Sequence, residues 1–175
     1  YEVLLDSLCY FSEVGMKVGL EFLLWEPTPL ARELCHTIEE AKTFYKKANE
    51  RSAIPILFCL DVGHACAPDI QGSDRDPYVW LKEIGSISPL VHIQQTDGQY
   101  DNHWPFTYDY NQRGIIEPNK VIDALQISGT KEVTLLLEIN HPFEENDRKV
   151  LSDWKQSIEF WRNSLVPLRY NHEID

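Results

Sequence analysis

Apolar residues recur along this chain in two rhythms. Val3, Leu4, Leu8, Phe11 and Val14 return at helical spacing, with Gly15 where such a helix would stop, whereas residues 18–25 form an apolar run interrupted only by Gly19 and Glu21. The two rhythms then alternate. Thr37 and Glu40, spaced as a capping box, open a helix that continues through Phe44, Tyr45 and Ala48. Residues 54–62 read as a strand, and Asp76, Pro77 and Gly85 frame a helix with a cap, a proline at its first position and a glycine stop. Residues 90–95 form a third strand, 119–125 a short helix and 132–140 a fourth strand. Trp154, Ile158, Trp161 and Leu165 mark the apolar face of a last helix over residues 151–165.

Strands that are apolar almost throughout, each followed by a helix, predict parallel βα units whose sheet is covered on both faces. Each strand ends in a polar residue able to coordinate a metal: Glu21, Asp61, Gln94 and Glu138, separated by 40, 33 and 44 residues. An eight-unit barrel of about 250 residues implies roughly 31 residues per unit. The predicted fold class is therefore α/β, a (β/α)8 TIM barrel, with residues 1–175 as a single domain supplying about four of its βα units. Four strands leave two open sheet edges, so the chain is expected to be a homo-oligomer or a fragment of a longer chain.

Composition narrows the function more than the fold. The net charge of -12 repels a phosphate backbone, and no stripe of Lys and Arg interleaved with aromatics exists, which argues against nucleic-acid binding. No apolar run approaches the roughly 20 residues that span a bilayer, and no basic, cleavable leader is visible, so neither membrane nor secretion is expected. Cys9, Cys35, Cys59 and Cys66 lack the spacing of a disulfide framework or a zinc knuckle, which suits a cytoplasmic protein.

The polar residues on apolar strands carry the candidate chemistry. A strand covered on both faces has little reason to hold a carboxylate, because burying one unpaired costs several kcal/mol, on the order of 5. Three carboxylates and an amide oxygen suit one divalent metal such as Mn²⁺, Mg²⁺ or Co²⁺. Such an ion would polarise the carbonyl of an α-hydroxy ketone while two carboxylates exchange the neighbouring proton. His92, alone on its apolar strand, reads as a satisfied core residue, and His36, His141 and His172 have no partner at a telling spacing. Trp80, Trp154 and Trp161 read as core.

Leu20-Glu21-Phe22-Leu23-Leu24-Trp25-Glu26, Leu60-Asp61-Val62-Gly63-His64, Val91-His92-Ile93-Gln94 and Leu137-Glu138-Ile139, in this order, resemble the C-terminal half of the xylose isomerase-like barrels. The resemblance implies the last four βα units of such a barrel. It implies a metal-dependent sugar or sugar phosphate isomerase or 3-epimerase that transfers protons through a metal-bound enediolate. Glu21 and Glu138 match the pair that ligates metal and exchanges the proton, and Asp61 matches a pure ligand. His64 matches the histidine that binds substrate oxygens, and Glu26 lies near the acidic residue that orients it. Gln94 stands where tagatose-type epimerases have histidine and hydroxypyruvate isomerase-like members glutamine, which points to the second branch. The loop over residues 95–116 resembles that of tetrulose phosphate epimerases. His103 and Arg113 are donors for a phosphate or terminal hydroxyls, and Trp104 could shield the site. The expected partner is a small sugar, sugar phosphate or hydroxy-keto acid. Two other readings stay open: an endonuclease IV-like zinc hydrolase, against which the acidic charge argues, and a half barrel that only binds.

Overall fold

The computed structural model describes residues 1–30 and 32–169; His172 lies outside them. Helices and strands alternate as α1 (Glu2–Lys17), β1 (Leu23–Trp25), α2 (Ile38–Asn49), β2 (Ile56–Asp61), α3 (Pro77–Ile84), β3 (Leu90–Ile93), α4 (Tyr108–Asn111), α5 (Pro118–Ile127), β4 (Thr134–Leu137) and α6 (Asp147–Arg169). All strand pairs are parallel and the sheet runs in chain order, β1-β2-β3-β4. Sequential, parallel and helix-connected strands of this kind are one part of a (β/α)8 barrel.

Three junctions follow from local chemistry. Thr37 Oγ1 accepts the Glu40 N–H, but the Glu40 carboxylate turns to His36 at 2.8 Å instead of closing the capping box. Asp76 accepts the Tyr78 N–H at 2.8 Å, ahead of a helix that starts on Pro77. The first helix, however, does not stop at Gly15. It runs to Lys17, and Gly19 takes the left-handed conformation (φ +83°) while Leu20 N–H reaches back to the Gly15 carbonyl and Gly19 N–H to that of Met16. This Schellman closure consumes residues 18–20, so the expected strand over 18–25 shrinks to Leu23–Trp25. Gly15 itself is a point of close approach: a Cβ there would lie 2.8 Å from the Ile54 side chain.

The two faces of the sheet differ. Ile56, Phe58, Leu60, Val91 and Ile93 point outward into a core shared with Ala41 and Phe44 of α2, Leu81 and Ile84 of α3, Val121 and Leu125 of α5, and Trp161 of α6. Each such apolar side chain contributes about 1.5–3 kcal/mol by leaving water. Because side chains alternate across a strand, Leu24, Leu57, Cys59, Asp61, His92, Leu136 and Glu138 point the other way, onto the concave face. On β1 and β4, the outermost strands, that face is open: Leu24 is 39% and Leu136 48% exposed.

The last helix docks differently from its apolar pattern. Trp161 is buried, but Ile158 is exposed, and the buried stripe includes Asp153 and Ser157. Asp153 receives His141 at 3.0 Å and Lys149 at 2.6 Å, and the Ser157 hydroxyl accepts the Phe106 N–H at 2.9 Å. Partners on two loops, His141 before α6 and Phe106 after β3, go with this docking and are invisible to helical periodicity.

Candidate metal centre

Strand order brings four side chains together at the C-terminal ends of four strands. They are Glu26 just past β1, Asp61 ending β2, His92 of β3 and Glu138 just past β4, each with a ligand atom within 4.8 Å of the others. His92 is at the centre. Its Nδ1 donates to Glu26 Oε1 at 3.1 Å and lies 2.7 Å from Glu138 Oε2 and 4.0 Å from Asp61 Oδ2. One ring nitrogen cannot serve three carboxylates, and the buried oxygens Asp61 Oδ2 and Glu138 Oε2 accept no hydrogen bond. Burial drives the Asp61 carboxyl above its ordinary range, against the pull of the His64 charge and the Gly63 N–H. Two orphaned oxygens among three converging carboxylates and one imidazole are a donor set that suits a divalent cation of hard or intermediate character.

This arrangement differs from the expected one in two ways. Glu21 is exposed and lies in the bend before β1, at the opposite end of the strand from the cluster, because the Schellman closure moved the strand start to Leu23. Glu26 therefore stands at the strand tip. Gln94 is fully buried next to the cluster but turned as a donor. Its Nε2 hydrogen-bonds Asp61 Oδ1 at 2.9 Å and Asp101 Oδ1 at 2.7 Å, and its Oε1 accepts the His103 N–H at 2.5 Å. The amide oxygen is thus occupied, and His92, expected to be core, holds the place beside the carboxylates. One signal was present in the sequence: His92 shares a strand face with Gln94, two residues closer to the sheet centre.

A second group adjoins the first. The His64 Nδ1 meets the Pro27 carbonyl at 2.7 Å, and its Nε2 lies 3.5 Å from Asp101 Oδ2. Glu26, expected near the acidic residue that orients His64, is 3.9 Å from its Nδ1 and makes its hydrogen bond with His92. His103 Nε2 lies 3.1 Å from the same Asp101 oxygen. Burial alone would lower the His64 pKa, but the Asp101 hydrogen bond and the charges of Asp61 and Asp101 raise it to about 9. Asp101 moves the other way: burial would raise it, yet His64, Gln94 and His103 hold it at about 2. Asp101 was not singled out in the sequence, where it sits among the other polar residues of the long loop.

That loop is pinned by Gln95. Its Oε1 accepts the Thr96 and Ile116 N–H groups, its Nε2 donates to Asn111 Oδ1 and the Ile116 carbonyl, and its backbone pairs with Trp104 in both directions. Trp104 stacks on Tyr110 at 5.1 Å, and the Arg113 guanidinium lies 4.3 Å from one ring and 4.7 Å from the other. Arg113 is exposed and held by aromatic faces. On the concave floor, burial and the charges of Glu26, Asp61 and Glu138 push the Cys59 thiol up to about 12, so it stays protonated. All four cysteines are free. No described helix is long and apolar enough to cross a membrane.

A parallel, helix-wrapped half barrel with carboxylates and imidazoles at its strand tips has the architecture of the xylose isomerase-like superfamily, and the comparisons bear out that resemblance. The chain is similar to D-erythrulose 1-phosphate 3-epimerase of Brucella abortus (strain 2308), 29% identical over 162 residues that cover 91% of this chain and 52% of that protein. It is also similar to a candidate xylose isomerase from Rhodospirillum rubrum ATCC 11170, with a TM-score of 0.82 and 30% identity over 93% of this chain and 54% of the other. The D-psicose 3-epimerase of Clostridium cellulolyticum H10, solved with D-tagatose, shares the fold (TM-score 0.64, 14% identity, 91% and 54% coverage). The chain spans about half the length of the relatives it matches. No family model matches it.

Proposed function

We propose that this chain carries the metal-binding and proton-transferring part of a sugar or sugar phosphate 3-epimerase. The convergence of Glu26, Asp61, His92 and Glu138 on one point, with two buried carboxylate oxygens unpartnered, supports this reading most directly. These four residues would hold one divalent ion, and when bound it supplies positive charge that polarises a substrate carbonyl.

The remaining chemistry belongs to side chains. Glu26 and Glu138 come from the first and last strands of the sheet and so reach the site from two sides. One carboxylate removes the proton from the carbon next to a ketone, and the C–H electron pair moves into the carbonyl to leave an enediolate. The other carboxyl returns a proton to the opposite face of that carbon, which inverts it. Asp61 does not need to exchange protons; it is buried and anchored by the Gly63 N–H at 2.5 Å and by Gln94. His64, with its cationic ring fixed on the Pro27 carbonyl, is placed to donate to a substrate oxygen. The similarity to the Brucella protein favours a short ketose phosphate, with Arg113 as a donor near the loop.

The test is wash-in of solvent deuterium at the carbon next to the ketone of D-erythrulose 1-phosphate, and of unphosphorylated tetruloses and pentuloses, with Mn²⁺ or Co²⁺ present. Exchange that disappears in Glu26→Gln and Glu138→Gln supports the reading. Exchange undiminished in both variants overturns it.

A further inference from the structure

We propose that Gln95 is the positioning residue of the loop that follows β3: it fixes Arg113 where the guanidinium can receive the phosphate of a ketose phosphate, and so sets selectivity for phosphorylated substrate. The inference deepens the proposed function and rests on it. Gln95 follows Gln94 in the chain, but its amide turns to the loop instead of to Asp61. It is 1% exposed, and both donors and both acceptor positions of its side chain are used. Oε1 accepts the Thr96 N–H at 3.1 Å and the Ile116 N–H at 2.9 Å, while Nε2 donates to Asn111 Oδ1 and to the Ile116 carbonyl, each at 3.0 Å. A buried amide satisfied in this way holds its partners in one arrangement, because each lost bond would leave a polar group unpaired.

These contacts bracket Arg113. Asn111 precedes it and Ile116 follows it, and the Gln95 backbone pairs with Trp104 in both directions, at 2.9 and 3.0 Å. One residue thus holds both the segment that carries Arg113 and the indole on which Arg113 rests. The approach is close: a Cβ on Gly114 would fall 2.1 to 2.5 Å from the Gln95 side chain. From the other side, the Ile115 N–H reaches the Thr96 carbonyl at 2.8 Å, and the Ile115 carbonyl accepts the Tyr78 hydroxyl of α3 at 2.6 Å. The guanidinium lies 4.3 Å from the Trp104 ring and 4.7 Å from that of Tyr110. Ring faces hold the cation without supplying the lone pairs that its N–H groups seek, so an oxyanion such as phosphate can take those donors in the bidentate manner. Trp104 directly follows His103, whose backbone N–H is bound by Gln94 beside Asp61, and this ties the aromatic floor under Arg113 to the metal centre.

The test is a double-mutant cycle. The intact protein, as its source makes it, is loaded with Mn²⁺ and assayed for kcat and KM on a tetrulose 1-phosphate and on the same tetrulose without phosphate, with melting curves run on every variant. Arg113→Met should lower kcat/KM for the phosphorylated substrate by about 10–100-fold, and much less for the unphosphorylated one, as expected for lost hydrogen bonds to a charged group. Gln95→Met should act in the same direction by about tenfold, mainly through KM, and should add less than about twofold once Arg113 is already replaced. Asn111→Ala, which removes one partner of Gln95, should do the same more weakly. In folded protein, a Gln95→Met loss that is equal for both substrates, or that adds in full to the loss in Arg113→Met, overturns the positioning role. If Gln95→Met does not fold, unchanged phosphate selectivity in Asn111→Ala overturns it. A wild type that turns over both tetruloses without preferring the phosphate overturns this inference alone, whereas one with no α-proton exchange on either overturns the proposed reaction with it.

Discussion

The two faces of the same four strands contrast sharply in chemistry. On the convex face Phe58, Val91 and Ile93 are 1%, 0% and 1% exposed and belong to the apolar cluster shared with the helices. On the concave face the strand tips carry Glu26, Asp61, His92 and Glu138, and the positions below them run from buried Cys59 to half-exposed Leu136. The convex face holds the fold together, and the concave face holds charge at one end. A parallel sheet can do both at once because successive side chains alternate sides, so a run that looks uniformly apolar serves two environments.

The largest effect that could break this contrast is catalytic. Glu138→Gln or Glu26→Gln should lower α-proton exchange by about 10²–10⁴-fold while leaving the far-ultraviolet circular dichroism unchanged, as expected for loss of a positioned acid or base. Phe58→Ala, on the convex face, should cost about 3–5 kcal/mol in urea unfolding, and Leu136→Ala, half exposed on the concave face, less than about 1 kcal/mol. Equal losses would show that both faces carry the fold.

The His64–Asp101 pair adds a pH dependence to metal-free protein. The His64 pKa is raised in the folded state, so its stabilisation is complete below its ordinary value near 6.5 and is lost as pH rises through about 9. That loss should amount to as much as about 3 kcal/mol, and Asp101→Asn should flatten the curve over this window. Asp101, lowered to about 2, contributes in the opposite window, with stability present above its ordinary value and lost as pH falls toward 2.

Asn49→Ala should cost about 1–3 kcal/mol, measured by chemical denaturation. The Asn49 side chain ties the end of α2 to the start of β2 through the Tyr45 carbonyl and both backbone groups of Ile56. Glu21→Gln should do least, with exchange within about twofold and stability within about 0.5 kcal/mol, as expected of an exposed position. A collapse of exchange in Glu21→Gln with none in Glu26→Gln would reverse the assignment of the strand tip.

The alternation of apolar runs and helical stripes was enough to predict parallel βα units, and Asp76-Pro77 and Thr37 marked helix starts that the structure keeps. Asp61 and Glu138, singled out because a carboxylate in an apolar strand needs a reason, do lie together at the strand tips. The strand tips of β1 and β3 were not. Choosing Glu26 over Glu21 depended on a left-handed Gly19 and a backbone closure that shortened the strand, and choosing His92 over Gln94 depended on which partner claimed the Gln94 oxygen. Hydrophobic periodicity fixes which residues share a face, since that follows from backbone geometry alone. Which polar atoms meet at the end of that face is decided by where each strand starts and by hydrogen bonds from loops far away in the chain, and only the tertiary structure brings those together.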